Sequence, residues 1–475
     1  MTESSAIDLS LSLPEILTNI LDFLSTDQAS LASAIQVNRK WFSCGTDVLW
    51  REAPCEVLAQ VPEDRRQIYA AKVATLAFSG DDEAQYHSTF ENIRFTNLKK
   101  ISLDAYRPGG GESYSVLQYM QLPLETFFFY GGDLTDDLLA HLQNTCWRLR
   151  RIMIDSPGPN VTAASFFRFI STYKSLEHMT FLYGIDDLLT DELLLHLAGR
   201  PNLSSLAIGK VCSTQILQQI SSHVSEPFGA LQALQVTVPS AAVSLLVTLL
   251  PNVTSLQLTV HDSDVHLVQQ LPSLTALRLL SVSFAASVEI SRADILSLKS
   301  LSNLEQLSIG PDETNDAAEV TAFESDFSDA DFDDLCSKLP VLRRIRFNVQ
   351  CNLSAAALAS LSKHCPLLEE CTMLHVLNIH ALDLGSRSNI MFPKLRLLDL
   401  GGFEAPAPND QQGDGYVQSN MPRSMTYAYT LASTNFPKPE DIAALLRKHF
   451  PRLEEIYVSS DDDYSNVIAG AVLPS

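Results

Sequence analysis

A leucine-based triplet recurs along most of this 475-residue chain. In each triplet a leucine or valine is followed, three and five residues later, by further apolar residues, as in Leu98-Ile101-Leu103. About thirteen triplets follow one another, mostly about 21 to 30 residues apart, a period typical of solenoid proteins. They begin at Leu98, Leu124, Leu149, Leu176, Leu203, Leu231, Val253, Leu274, Leu304, Leu342, Leu368, Leu395 and Leu453. A fixed period favours one unit repeated many times over ordinary α/β domains, each with its own core.

Each repeat contains the parts of one strand and one helix. The alternating apolar residues of a triplet are typical of a half-buried strand. Two of the intervening segments, residues 134–142 and 189–197, begin with a threonine N-cap and acidic first-turn residues, as helices do. Parallel strands lie about 4.8 Å apart and packed helices about 8 to 10 Å apart, so a stack of such units must curve. The sequence therefore predicts an α/β leucine-rich-repeat solenoid, a horseshoe with a parallel sheet on its concave face and helices on its convex face.

The composition limits the kinds of partner and cofactor. Lys and Arg number 33 against 56 Asp and Glu, a formal charge of −23, which repels nucleic-acid phosphates and anionic membranes. We therefore expect no nucleic-acid partner and no membrane partner, and, without a recognisable signal peptide, a cytoplasmic or nuclear location. Eight irregularly spaced cysteines predict reduced thiols. The group Cys351, His364, Cys365, Cys371 and His375 matches no zinc-binding spacing, so we expect no metal and no cofactor.

The segment before the repeats is apolar and short. Ile16, Leu17, Ile20, Leu21 and Leu24 have helical spacing, and a second predicted helix carries further apolar residues. Ser12 with Glu15, and Ser25 with Gln28, are spaced as capping boxes. A module of roughly 40 residues without disulfides or metal usually needs a partner to cover its apolar side chains. The alternative is a helical cap that closes the end of the solenoid.

The ordered combination Leu13-Pro14-Glu15, Val37-x-Arg39-x-Trp41 and Leu49-Trp50-Arg51 resembles an F-box, and with the repeats the chain resembles fungal-type F-box proteins with C-terminal leucine-rich repeats. The resemblance implies the substrate receptor of an SCF ubiquitin ligase, bound to a Skp-type adaptor and through it to cullin and RING subunits. Asn38 departs from the cysteine that the family commonly carries, which leaves the local packing open. The positions that match adaptor-facing residues are Leu13, Pro14, Ile16, Ile20, Leu24, Leu31, Val37, Trp41 and Trp50.

The resemblance and the repeats together divide the chain into three parts. We predict an F-box helical domain over 9–54, linker helices and an N-terminal cap over 55–96, and the leucine-rich-repeat domain over 97–475. Two insertions break the period, at 311–334 and 402–438. Residues 312–334 contain no Lys or Arg, so we expect a charged, mobile loop that attracts a basic substrate surface. The Pro-, Gly- and Tyr-containing second insertion is expected to pack on the rim and contribute to recognition.

The substrate surface is expected on the concave wall, where residues between the core positions of each strand point outward. Aromatic and arginine side chains are the usual hot spots of protein interfaces. The candidates are Phe128, Tyr130, Met153, Asp155, Arg344, Arg346 and Asn348.

No catalytic motif is recognisable in the sequence. Gly109-Gly110-Gly111 lacks the Lys-Ser/Thr of a phosphate-binding loop, and neither His-Glu-x-x-His nor Gly-x-Ser-x-Gly occurs. We therefore predict a non-catalytic subunit that binds an unidentified protein substrate. Two alternatives stay open: an F-box scaffold that does not promote degradation, and a leucine-rich-repeat GTPase-activating protein that would use Arg346 or Arg151.

Overall fold

A computed structural model describes residues 13–79, 85–107, 116–121, 123–262, 268–315, 317–322, 327–382, 389–404, 439–459 and 463–472. The chain divides into two compact units, Met1–Lys210 and Val211–Ser475. In both units parallel strands alternate with helices, so the predicted α/β leucine-rich-repeat fold is confirmed. Within the described ranges, no helix is both long and apolar enough to span a bilayer.

The first unit begins with helices and continues as six strands of one parallel sheet. The helices are α1 (Pro14–Asp22), α2 (Gln28–Ala34), α3 (Arg39–Leu49), α4 (Cys55–Gln60), α5 (Glu63–Ala70), α6 (Gln85–Thr89), α7 (Asp136–Thr145), α8 (Ala163–Thr172) and α9 (Asp191–Ala198), with a 3-10 turn at Val116–Tyr119. The strands are β1 (Thr75–Ser79), β2 (Lys100–Tyr106), β3 (Thr126–Gly132), β4 (Arg151–Asp155), β5 (His178–Phe181) and β6 (Ser205–Val211).

The strands of the first unit pair in chain order, and their registers align the apolar triplets. Ile101 pairs with Phe127, and the row continues through Ile152, Met179 and Leu206, all of which are buried. Stacking these side chains from strand to strand gives each repeat the apolar cover that it lacks alone. The five triplets predicted here therefore lie on strands as expected.

Strand β1 lies in the segment predicted as linker helices and solenoid cap. Leu76 of β1 pairs with Ile101 and is fully buried. The triplet Val73-Leu76-Phe78 has the spacing of the other repeats, with valine in place of the first leucine. The sheet thus begins one repeat earlier than the sequence analysis placed it.

The second unit continues the same alternation. Its helices are α10 (Thr214–His223), α11 (Val243–Thr248), α12 (Arg292–Ser297), α13 (Asp329–Cys336), α14 (Ala356–His364), α15 (Pro439–His449) and α16 (Asp463–Val472), with 3-10 turns at Ser240–Ala242, Val268–Ser273, Leu298–Ser300 and Ile379–Leu382. The strands are β7 (Ala233–Val238), β8 (Ser255–Val260), β9 (Leu279–Phe284), β10 (Val288–Ile290), β11 (Gln306–Pro311), β12 (Val320–Ala322), β13 (Arg344–Phe347), β14 (Glu370–Leu377), β15 (Leu397–Phe403) and β16 (Glu455–Val458). In the main sheet the order is β7-β8-β9-β11-β13-β14-β15-β16, and β10 pairs with β12 beside it.

The triplet predicted at Leu274 is three residues out of register. Leu280 of β9 pairs with Leu256 of β8 and Leu307 of β11, so the triplet in the core is Leu277-Leu280-Val282. Leucines stand at 274, 277 and 280, and both frames therefore match the pattern. Pairing with the neighbouring strands selects the later frame.

Much of the acidic insertion at 311–334 forms regular structure instead of the mobile loop that its charge predicts; residues 316 and 323–326 lie outside the described residues. Residues 320–322 form β12, which pairs in parallel with β10, and residues 329–336 form α13. Ser328 and Asp331 make a capping box at the start of this helix. Buried Val320, Ala322 and Phe332 supply apolar contacts within the charged segment. Of the second insertion, 402–438, residues 405–438 lie outside the described residues.

The N-terminal helical module, residues 13–50, has a core of its own. Its buried residues are Leu17, Leu21, Leu31, Cys44 and Val48. Ser12 of the first predicted capping box lies outside the described residues; helix α1 begins at Pro14 after Leu13, which makes no side-chain cap. The second box is not formed, because α2 is capped by Asp27, whose carboxylate accepts from the Ser30 N–H. Gly45 lies on α3 where this core is tightest. A Cβ there would stand 2.3 Å from Ile35 Cγ2 and 3.6 Å from Leu21 Cδ1.

We expect Gly45→Ala to destabilise the module by roughly 1 to 3 kcal/mol, because the β-branched Ile35 side chain has little freedom to move away. Alanine in an open helical site would instead stabilise by up to about 1 kcal/mol. Gly470 of α16 is the matched control, since a Cβ there meets no atom within 4 Å. Urea unfolding of both variants measures the two effects. If Gly45→Ala is as stable as Gly470→Ala, the close approach of α2 and α3 is contradicted.

His87, on α6 between β1 and β2, is a buried neutral imidazole. Its Nδ1 lies 3.1 Å from the Tyr119 hydroxyl, and its ring packs 4.4 Å from that of Phe78. Burial lowers the pKa of His87 from its ordinary value of 6.5 to about 4. The unfolded chain therefore binds a proton at this side chain that the folded chain does not bind between these two pH values.

Stability of the first unit should consequently fall as the pH drops below about 6.5, with the His87 contribution to this loss complete near pH 4. The measurement is the urea midpoint at about pH 7 and about pH 5, compared between the wild type and His87→Gln. We expect a smaller pH-dependent shift in the variant. His223→Gln, at an exposed position, should keep the wild-type shift; equal shifts in all three proteins would refute the role of His87.

Candidate functional site

Helix α1 is apolar over a much wider arc than the module covers. At 100° per residue, Leu17, Leu21 and Leu24 point toward α2 and α3, and a second row lies beside them. This row, the outer stripe, consists of Leu13, Ile16, Ile20 and Phe23, all exposed. The two rows together span about 160° of the helix.

Phe23 makes the largest contribution to the outer stripe. Its side chain is 86% exposed, although a phenylalanine gains about 1.5 to 3 kcal/mol when it is fully buried. The polar residues Glu15, Asn19 and Asp22 lie on the remaining side of the helix. The outer stripe therefore extends the apolar arc of α1 well beyond the row that the module core covers.

Two further apolar side chains of the module are exposed. Val37, between α2 and α3, and Phe42, in the first turn of α3, are 61% and 50% exposed. Phe23 and Phe42 are absent from the residues predicted to face an adaptor. Phe23 continues the Leu13-Ile16-Ile20 spacing by one step, a signal that the sequence already contains.

The predicted adaptor-facing residues separate into exposed and internal ones. Leu13, Pro14, Ile16, Ile20 and Val37 are exposed. Leu24 and Trp41 are half-buried against the module core.

One of the predictions needs correction, and a second residue has an internal contact. Leu31 is only 1% exposed and belongs to the module core, so it is unable to contact a partner in this structure. Trp50 is half-buried with its ring stacked 4.4 Å from that of Tyr69 on α5, where it fastens the module to the following helices. Both residues were named from the resemblance, which does not distinguish the inside of the module from its outside.

Asn38, the departure from the family pattern, is the N-cap of α3. Its Oδ1 accepts hydrogen bonds from the backbone N–H groups of Lys40 and Trp41, at 2.9 and 3.0 Å. An asparagine at this position satisfies two N–H groups that a helix start otherwise leaves without partners. Asn38 thus fixes the start of the helix that carries Trp41 and Phe42.

The module is held firmly on the first strand of the sheet. Arg51 forms an ion pair with Asp22 of α1 at 2.8 Å, and its carbonyl accepts from the N–H groups of Ala74 and Thr75, both at 2.9 Å. Lys72 pairs with Asp47 and donates to the Thr46 hydroxyl at 3.0 Å. These contacts position the outer stripe relative to the repeats of the same unit.

Three of the predicted substrate residues lie together on the open face of strands β1–β6, the face that carries the outward residues of these strands. Phe128 pairs with Met153 on the next strand, and the Tyr130 ring lies 6.1 Å from that of Phe128. Lys100 Nζ stands 4.8 Å above the Phe128 ring. Burial, with the charges of Asp155 and Asp104, raises the pKa of Tyr130. The group is a partly exposed aromatic patch.

Asp155 is a structural residue rather than a surface one. It is buried, and its Oδ1 accepts from the N–H groups of Leu182 and Tyr183 at 2.7 and 3.1 Å. The carboxylate thereby ties the end of β4 to the turn that follows β5. The alternation that predicts an outward side chain fails here because the neighbouring turn folds over the strand end.

The remaining candidates lie in the second unit. Arg344 is paired with Glu370 at 3.0 Å, and Arg346 is paired with Glu313 of the acidic insertion. Asn348 is only 6% exposed and therefore does not belong to an open wall. The Arg346 guanidinium is engaged by the Glu313 carboxylate. No observation on the described residues around it favours a role in nucleotide hydrolysis. Among the residues with described positions, no three potential ligands cluster as a metal site.

Comparison with known proteins identifies no family for the chain. No protein-family model and no curated protein matches it. Solved structures with a similar fold include a complex of Rad7 and Elc1 from yeast, with 14% identity, coverage of 91% of this chain and 92% of that chain, and a TM-score of 0.44. An internalin (InlF) from Listeria monocytogenes has 16% identity, coverage of 68% and 85%, and a TM-score of 0.36. The leucine-rich-repeat protein LegL7 from Legionella pneumophila has 11% identity, coverage of 52% and 90%, and a TM-score of 0.29. We draw no functional conclusion from likenesses at this level.

Proposed function

We propose that this chain is the non-catalytic substrate receptor of an SCF-type ubiquitin ligase, a fungal-type F-box protein with leucine-rich repeats. In this proposal the N-terminal module binds a Skp-type adaptor, which joins the chain to cullin and RING subunits. The repeats bind a protein substrate. The chain contributes proximity, because a substrate held near the conjugating enzyme reacts at a raised effective concentration.

The exposed outer stripe of α1 is the observation that carries the proposal. An apolar arc this wide is normally covered along its whole width. The module covers Leu17 and Leu21 but leaves Leu13, Ile16, Ile20 and Phe23 exposed. Insertion of such a row into an apolar groove is a common mode of recognition, and a standard interface buries roughly 800 Å² on each partner. Val37 and Phe42 add further apolar area on the same module.

The substrate-binding part of the proposal rests on the open face of strands β1–β6. Phe128, Met153 and Tyr130 lie side by side on neighbouring strands, and aromatic side chains dominate protein interfaces. Strands fixed by continuous pairing hold such side chains rigidly, so little conformational entropy is lost when a partner binds. Four of the seven acidic side chains in the described part of the insertion form ion pairs within the chain: Glu313 with Arg346, Asp331 with Arg292, Asp333 with Lys363 and Asp334 with Lys299. A basic substrate would therefore be attracted by the remaining surface carboxylates.

Ile16→Glu combined with Ile20→Glu should reduce the affinity for a purified Skp-type adaptor by roughly 100-fold or more, because two apolar contacts are lost and two charges would be buried. Isothermal titration calorimetry measures the affinity. Val57→Glu with Ile68→Glu is the matched control, since both residues are exposed apolar side chains on α4 and α5 of the same unit. The control should bind as the wild type does. Equal affinities for the two double variants would overturn the assignment of the outer stripe.

Phe23→Ser tests the same surface without disturbing the module core. Phe23 is almost fully exposed, so the free energy of unfolding should hardly change. Adaptor binding should weaken by about 2 kcal/mol, or roughly 30-fold in Kd. A Phe23→Ser protein that is stable and binds at full strength would contradict the proposal. If adaptor binds but the purified complex lacks cullin, the chain is an F-box scaffold rather than a ligase subunit.

A further inference from the structure

Three rows of side chains cross the outward face of strands β2–β6. The first row, at the amino ends of the strands, consists of Lys100, Thr126, Arg151, His178 and Ser205. The second row consists of Ser102, Phe128, Met153, Thr180 and Ala207, and the third begins with Asp104 and Tyr130. Neighbouring strands lie about 4.8 Å apart, and residues two positions apart along a strand lie about 7 Å apart. The rows therefore form a regular grid whose chemistry changes from one row to the next.

The amino ends of β2–β5 carry an excess of positive charge. The first residue of each strand and the residue before it include six charged side chains, here called the basic edge: Lys99, Lys100, Glu125, Arg150, Arg151 and Glu177. Four of them are cationic and two are anionic, in a chain whose formal charge is −23. A local charge opposite in sign to that of the whole chain attracts an anionic group of a partner.

Two cations of the basic edge are available to such a group. Arg150 pairs with Glu177 at 2.8 Å, whereas Lys100 and Arg151 form no ion pair with an acidic side chain in the described ranges. Arg151 is exposed. One strand separates Lys100 from Arg151, so their backbones lie about 10 Å apart. Both long side chains can therefore reach a carboxylate that lies between them.

The second row is apolar and uneven in height. Phe128 and Met153 are partly exposed, and Lys100 Nζ stands 4.8 Å from the centre of the Phe128 ring. On the next two strands the row continues with the smaller Thr180 and Ala207, which are also partly exposed. The difference in size leaves a depression beside Met153, and an apolar side chain of a partner can fill it. The cation over Phe128 brings this apolar position close to the basic edge.

The third row has the opposite charge. Asp104 is exposed, pairs in register with Tyr130 and forms no ion pair within the described ranges. It lies four residues along β2 from Lys100, or about 13 Å away. A carboxylate of a partner is attracted at the basic edge and repelled here. The face therefore distinguishes the two ends of a bound segment.

The open geometry of this face indicates a protein segment as its occupant. Small molecules usually bind in pockets that bury most of their surface, whereas these side chains stand next to one another on an open sheet. In an extended segment, residues i and i+2 point to the same side about 7 Å apart, which is the spacing of the rows. Nucleic acid is repelled by the charge of the whole chain.

We propose that the outward face of β2–β6 binds an extended segment of a partner protein, with an Asp or Glu between Lys100 and Arg151 and an apolar residue two positions away in the depression beside Met153. It deepens the proposed function, on which it rests only in taking the segment to be part of the substrate. The contacts with the segment do not involve the adaptor.

Panning a phage-displayed library of random 12-residue peptides on the full-length chain tests the proposal. The chain carries Ile16→Glu and Ile20→Glu, which keep apolar peptides off the outer stripe, and no adaptor is present. Enriched peptides should carry Asp or Glu two positions from a large apolar residue. Synthetic versions are then titrated by calorimetry against further variants in the same background.

Arg151→Glu should weaken the binding of an enriched peptide at least 10-fold, because the peptide carboxylate then meets a like charge. The same peptide with lysine in place of its acidic residue should bind Arg151→Glu at least 10-fold more tightly than it binds the protein that retains Arg151. A direct contact accounts for such an exchange, whereas a general loss of structure does not. Phe128→Ser with Met153→Ser should also weaken binding at least 10-fold. Arg168→Glu, at an exposed arginine of α8, is the matched charge reversal and should leave binding unchanged.

Three outcomes would overturn the proposal: no peptide is enriched, the enriched peptides lack the acidic residue, or Arg151→Glu binds them as tightly as Arg168→Glu does. Arg151 is exposed, so its replacement should hardly change the free energy of unfolding. The adaptor takes no part in these measurements, and the outer stripe is already altered in every variant. Failure of this face and failure of the proposed function are therefore distinguishable.

Discussion

In this chain the apolar side chains of each strand or helix are covered by the elements that follow it. The row Ile101, Phe127, Ile152, Met179 and Leu206 is buried only because five strands pair in register. The same requirement applies to α1, whose inner residues pack on α2 and α3. No element of the described part of the chain covers its outer stripe, and Phe23 extends into solvent. A partner bound over the outer stripe would bury these side chains, as neighbouring repeats bury the apolar side chains elsewhere in the chain.

The repeat architecture could be predicted from the sequence because burial imposes both the alternation of apolar and polar residues along each strand and the period of the repeats. The errors arise where burial leaves the pattern ambiguous. Leucines at every third residue from 274 to 280 match two frames, and only the pairing of Leu280 with Leu256 chooses between them. The three-residue strands β10 and β12 are too short to show a period. Charge alone predicted a loop at 312–334, but Val320 and Phe332 are buried and hold parts of this segment in the core.

Individual site residues were less predictable than the elements that carry them. Helical spacing places Leu31 on an apolar face but does not say that the face is internal. Strand alternation places Asp155 and Asn348 outward, yet both stand at strand ends where a neighbouring turn or strand covers them. A pocket in the second unit, lined by residues 318–322, 348–353 and 374–376, joins segments far apart in sequence, so its lining follows from strand order and not from any local motif.

The outer stripe is an apolar surface, suited to a permanent or long-lived contact. Hydroxyl-radical footprinting of the full chain with and without a purified Skp-type adaptor tests the central claim most directly, because oxidation of a side chain reports its exposure. Ile16, Ile20, Phe23 and Phe42 should become protected when adaptor is added, while the exposed Trp147 and Tyr183 of the same unit keep their reactivity. Unchanged oxidation of Phe23 in the presence of saturating adaptor would contradict the account.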